Sequence, residues 1–214
     1  MKYVYRIVNA LLAATIFPVA LLLEFVLVRL STTLVDAGIE ETFTLKQIIG
    51  FFLGTDTIVG FTYEDIKSSG PVEFPAILDP IKGELIATVI AFAIAIIAAI
   101  FIIIWSICSD KRIPVIIASV AGIAAVITMT ACFNAAAAPI LDGTINVVKI
   151  FSSGWLVSLL GEIVLVDTLA FGGFHNGMII VFVALLVWTA AFYIVEIGEP
   201  KEEKAPKKLK KAKK

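Results

Sequence analysis

LIATVIAFAIAIIAAIFIIIWSICSDKRIPVIIASVAGIAAVITMTACF, residues 85–133, decides the fold class. Leu85 to Ile107 carries no charge in 23 residues, and Ile113 to Phe133 is a second uncharged run. At 1.5 Å of rise per residue, about 20 apolar residues cross the roughly 30 Å hydrocarbon core of a bilayer. A bilayer offers no hydrogen-bond partners, so runs of this kind must be helices that satisfy their own backbone. Asp110-Lys111-Arg112 between them reads as a tight turn. Pro114 suits the first turn of a helix, where its missing N–H does no harm. The stretch is an antiparallel hairpin of two membrane-spanning helices.

Two further runs flank the hairpin. The first is Ile7 to Leu23, extended by Phe25 to Val28 across the single charge of Glu24; the last is Gly177 to Val195. Composition agrees, with 60% hydrophobic and 16% charged residues against about 45–50% and 25% in a soluble domain. Lys2 and Arg6 resemble the basic start of a signal peptide. The apolar stretch after them is longer than a signal core, and no A-x-A site follows, so it reads as a retained helix.

The expected fold is all-α, a four-helix transmembrane bundle. Its segments are 1–30 (flank and first span), 31–84 (structured outer loop), 85–107 (second span) and 108–112 (inner turn). There follow 113–134 (third span), 135–176 (second outer loop), 177–196 (fourth span) and 197–214 (Lys-rich tail). Lys2 and Arg6, Lys111 and Arg112, and the eight lysines of the tail all fall on one side. Basic flanks mark the cytoplasmic side, so both termini are expected inside. The first outer loop has nine acids against three lysines, and the second has three acids against Lys149. Tyr3, Tyr5, Trp105, Trp188 and Tyr193 fall toward the inner interface, where amphipathic rings prefer to sit.

Small residues recur at helical spacing. Ala87, Ala91, Ala95 and Ala99 stand at i, i+4 in the second span; Ala118 and Gly122 share a row in the third, as do Ala121 and Ala125. Such rows let backbones approach closely, which drives association in lipid. They serve packing within the hairpin, or else an interface with a partner or a second copy.

The first outer loop is too long to be a bare connector. Thr44 to Leu53 reads as a short amphipathic helix, with Thr44 as N-cap, Leu45, Ile48, Ile49 and Phe52 on one face, and Gly54 ending it. Thr57 to Tyr63 suits a strand, and Ser68 to Pro80 an irregular return to the membrane. In the second loop, Ile145 to Phe171 is apolar but broken by Lys149, Glu162 and Asp167. A fifth span there would put the lysine tail outside, so an interfacial helix is expected, with Trp155 at interfacial depth. Ser158 and Glu162 share a face, and a break before Asp167 reconciles that residue's opposite direction. Gly172-Gly173 gives a turn and Asn176 a cap for the last span.

Chemistry is sparsely marked. Cys108 and Cys132 fall at opposite ends of their spans, so a bilayer separates them, and there is no C-x-x-C. His175 is the only histidine; a mixed site with Asp142, Glu162 or Asp167, or a pH switch, competes with a plain interfacial turn. No H-E-x-x-H, G-x-S-x-G, Walker or dinucleotide pattern occurs. No catalytic residue, metal or cofactor is therefore expected. The layout of a large first and a smaller second outer loop resembles that of claudins and tetraspanins. Neither the claudin loop cysteine pair nor the tetraspanin Cys-Cys-Gly is present, so the likeness is one of topology and assigns no family. The absence of any N-x-S/T sequon favours a bacterial plasma membrane as the setting.

Polar residues inside spans point to function. Glu24 is placed about 25 Å up the first helix from Ile7, either reaching the interface or serving as an ion-binding or partner-pairing carboxylate. Thr130 and Asn134 stack at i+4 in the third span. Lys207, Lys208, Lys210, Lys211, Lys213 and Lys214 suit anionic lipid head groups, each contributing up to about 1 kcal/mol. With no arginine and no interleaved aromatics in the tail, specific nucleic-acid readout is not expected. The leading expectation is a non-enzymatic subunit or scaffold that binds other membrane proteins or itself. A small homo-oligomeric transporter or channel component is the alternative, and an envelope-modifying enzyme using His175 and loop acids a third.

Overall fold

The computed structural model describes residues 2–32, 39–57, 79–145 and 164–198. Helix α1 (Lys2–Ala14) breaks at Thr15 and resumes as α2 (Ile16–Leu22). Strand β1 (Glu24–Thr32) follows, then strand β2 (Ile39–Thr44) and helix α3 (Leu45–Phe52). A 3-10 turn at Asp79–Ile81 leads into α4 (Lys82–Cys108), and α5 (Ile113–Leu141) returns. Strand β3 (Val164–Phe171) and helix α6 (Phe174–Gly198) complete the described chain. Among the described residues, four helical stretches are long and apolar enough to cross a membrane: Tyr3–Leu22, Asp79–Cys108, Ile113–Leu141 and Phe174–Val195. The chain is a multi-pass membrane protein by that measure.

The helices pack in neighbouring pairs, α1 with α4, α4 with α5, α5 with α6, and α6 back onto α1 and α2. Each turns one stripe inward. On α1 and α2 it is Tyr5, Asn9, Ala13, Ile16 and Ala20; on α6 it is Phe174, Met178, Phe182, Leu185 and Thr189. The outward faces keep large exposed side chains such as Ile90, Ile97, Ile104, Ile117 and Ile180, which is how a helix facing lipid reads. The end bearing Lys2, Arg6, Lys111 and Arg112 is called the basic end here, and the opposite end the sheet end.

The all-α expectation is corrected by a three-stranded antiparallel sheet, in the order β2-β1-β3. Phe25 to Val28 does not extend the first helix; it belongs to the central strand, flanked by β2 and β3. Val26, Val28, Val166 and Thr168 are β-branched, a type that packs well on a pleated surface. A short apolar run cannot be told from helix by periodicity alone. Arg29 stands directly opposite Glu40 of β2, an opposite-charge cross-strand pair of the kind that contributes about 0.2–1 kcal/mol.

The expected interfacial helix of the second loop is corrected over Val164–Phe171, which is strand β3. The register shifts between Arg29 and Leu30, which face Thr168 and Val166. Asp167 is therefore the extra residue of a bulge, exposed to solvent. That accounts for its disagreement with a helical face. Trp155, Ser158 and Glu162 lie outside the described residues, as do 58–63 and 68–78 of the first loop and the tail lysines.

Helix bounds also move. Residues 135–141, taken as loop, extend α5 as far as Leu141, because Ala135 to Ala138 are strong helix formers. Asn176 lies inside α6, which begins at Phe174. Beyond α5, the Thr144 side chain and N–H hold the Asp142 carboxyl below its usual range. The Thr44 cap forms as expected. Its hydroxyl accepts from the Gln47 N–H at 3.2 Å, and the Gln47 side chain accepts from the Thr44 N–H at 2.8 Å, a reciprocal capping box. On α3, Phe51 is buried, while Leu45 and Ile48 are half-buried and Ile49 is exposed.

Candidate functional site

The residues singled out from sequence do not converge. Glu24 is the first residue of β1, exposed and in register with Thr44, so it does not sit in a helical span. The Thr130 hydroxyl donates to its own helix, to the Val126 carbonyl at 3.0 Å. Asn134 is exposed on α5. Ala91, Ala95 and Ala99 are buried in the core and Ala87 half-buried. Ala118 and Gly122 are buried too, whereas Ala121 is exposed. Gly122 meets Phe182 of α6, where an added methyl would fall inside the ring's van der Waals surface. The glycine thus seats the last helix on the hairpin.

His175 has a structural setting. Its Nδ1 lies 2.6 Å from the Gly172 carbonyl, and the rings of Phe171 and Phe174 stand 6.0 Å away. Among the described residues no group of three His, Cys, Asp or Glu side chains is placed to hold a metal ion. Cys108 and Cys132 are both free.

Two features stand out instead. At the sheet end, aromatic rings from β1, β3 and three helices meet. Phe25 of β1 stacks on Phe174 of α6 at 4.2 Å and meets Phe92 of α4 edge-on at 5.9 Å. Phe171 of β3 stacks on Phe133 of α5 at 4.0 Å. Offset and edge-on aromatic pairs add about 0.5–1.5 kcal/mol each beyond burial. The Gly172 N–H donates to the Phe25 carbonyl at 3.0 Å, and the Glu24 backbone leaves no room for a side chain at Gly172. Sheet and helices are thus tied at a single aromatic junction.

At the basic end the core turns polar. Asn9, Ser106, Ser119 and Thr189, one on each inward stripe, are 0%, 1%, 0% and 0% exposed. Ser119 donates to the Val115 carbonyl at 2.8 Å, and Thr189 reaches the Asn9 carbonyl oxygen at 3.4 Å. Asn9 Nδ2, Ser106 Oγ and Trp188 Nε1 are buried without a hydrogen bond to any group among the described residues. Below them, Arg6 Nε donates to the Ser106 carbonyl at 2.8 Å, and its guanidinium lies 3.5 Å from Asp110. Arg112 reaches the Phe192 carbonyl and lies over the Tyr5 ring at 5.0 Å, within cation–π range.

Sequence reading passed over this layer. Asn9, Ser106 and Thr189 interrupt apolar runs, which is the signal that finds them. The lone charge of Glu24 drew the attention instead. No protein family, curated relative or solved structure matches this chain.

Proposed function

We propose that this chain is a non-enzymatic subunit or scaffold of a membrane complex. In this reading it is a four-helix bundle in the cell membrane, with both termini cytoplasmic and its Lys-rich tail resting on anionic lipid. The observation that carries the reading is the joining of both outer loops into one sheet, clamped to the helices through Phe25, Phe171 and Phe174. A loop tied down at an aromatic junction offers a partner a preorganised surface at low entropic cost. That surface displays Arg29, Glu40, Thr42 and Asp167. The basic flanks at the other end supply the orientation.

Extraction of the native protein in mild detergent, with size analysis and mass spectrometry, tests the reading. A defined complex with another membrane protein is expected. Glu40→Lys combined with Asp167→Lys should release the partner while costing the chain itself only about 1 kcal/mol, from loss of the Arg29–Glu40 pair. A homogeneous monomer, or a complex indifferent to the double reversal, contradicts the proposal.

The second reading, a small homo-oligomeric transporter or channel component, has one observation in its favour. Buried polar residues within spans commonly mark pathways, and the layer at Asn9, Ser106, Ser119 and Thr189 is such a set. Glu24, exposed on its strand, no longer supports it. A homo-oligomer in the same extraction would favour this alternative.

A further inference from the structure

We propose that the basic end of the helical body is a water-binding vestibule, closed by Arg6 and Asp110 and opened by movement of α1 about its break at Thr15. The inference goes beyond the scaffold reading and stands whether or not a partner binds the sheet.

The first argument is cost. A buried donor or acceptor left unmade costs about 1–3 kcal/mol, and lipid cannot supply the missing partner. The same inward stripes use alanine elsewhere, at Ala13, Ala95 and Ala118. Alanine at positions 9 and 106 would remove the penalty in a permanently closed body. Asn9 Nδ2, Ser106 Oγ and Trp188 Nε1 instead offer hydrogen bonds that no group among the described residues takes. Water is the ligand that satisfies such a set, since it both donates and accepts and needs only two to four polar partners.

The second argument is mechanical. Among the described spans, the first is divided into two helices, between Ala14 and Ile16. Pro18 has no N–H to give the Ala14 carbonyl, so the ladder is interrupted where α1 meets α2. The Thr15 N–H is shared between the Leu11 and Leu12 carbonyls, at 3.2 and 3.1 Å. Such interruptions are where helices bend. On the basic-end side of the break, α1 carries Tyr5, Arg6 and Asn9.

The third argument is the weakness of the closure. Arg6–Asp110 is a partly exposed pair, worth about 0–1 kcal/mol, and the same guanidinium also donates through Nε to the Ser106 carbonyl at 2.8 Å. Among the described residues the sheet end is held by stacked rings.

The test uses the full chain with Cys108→Ser and Cys132→Ala, in permeabilised membranes with a membrane-impermeant thiol reagent. Ser106→Cys and Thr189→Cys should react at least about tenfold faster than Ala95→Cys, which lies deeper on the α4 stripe. Adding Arg6→Gln should raise the first two rates several-fold and leave the third unchanged. Equal rates at all three positions, or rates indifferent to Arg6→Gln, would overturn the proposal. Hydrogen exchange on the unaltered chain gives an independent readout. Backbone amides of residues 6–14 should exchange faster than those of 19–22, whereas equal protection across the break would overturn the hinge.

Discussion

Replacing Phe174 with alanine is expected to destabilise the protein by about 3–5 kcal/mol, the range for large-to-small change at a filled core position. Phe174 is fully buried. Its ring stacks on Phe25 of the central strand and meets Phe171 of β3 edge-on at 5.0 Å. Removing it empties the space between sheet and helices and leaves Phe25 without its closest ring contact. The loss should therefore be local in character as well as large in size. Thermal unfolding in detergent should show a lower midpoint, and limited proteolysis should cut near 24–44 before the helices are touched. Uniform loss of all segments together, with no early cleavage at the strands, would place the junction's contribution elsewhere.

Gly122→Ala is the second large effect, and its sign is opposite to what helix propensity alone suggests. Alanine favours an exposed helix interior over glycine by about 1 kcal/mol. Here the new methyl would intrude on the Phe182 ring, itself fully buried on α6. Overpacking of this kind costs about 1–3 kcal/mol. Net destabilisation is expected, with α6 displaced from α5. Phe182→Leu in the Gly122→Ala background should recover part of the loss, since the two positions are in direct contact and their effects should not add. Purely additive effects in a double-mutant cycle on the melting transition would contradict this contact.

The spanning helices were legible because their signal is long. Runs such as Leu85 to Ile107 have only one structural solution in a bilayer. The Thr44 cap was legible because its chemistry is local, with donor and acceptor three residues apart. The strands were not legible, for two physical reasons. Phe25 to Val28 is continuous with an apolar helix, and a run of that length fits either period. Strand β3 is fixed by β1, more than 130 residues earlier in the chain. Pairing over such a separation leaves no trace in a local window. Within the second loop, Asp167 carries the clue, since on a helix it would lie opposite the face of Ser158 and Glu162; a bulge explains it. The polar layer was visible residue by residue, as single polar letters in apolar runs, but its meaning depends on four stripes meeting at one end. Glu24 stands in sequence at the far end of an apolar helical run, but the helix ends at Leu22 and Glu24 opens β1.

Cross-linking β1 to β3 tests the central claim, that strands far apart in the chain form one sheet. Val28 and Leu169 are register partners, and antiparallel partners lie about 4.5–5.5 Å apart at Cα, within the span a disulfide bridges. In the background lacking Cys108 and Cys132, Val28→Cys with Leu169→Cys should form an intramolecular disulfide in native membranes under mild oxidation. Val28→Cys with Leu165→Cys, four residues along the same strand, should not. Cross-linking of the second pair in preference to the first, or of neither, would contradict the account.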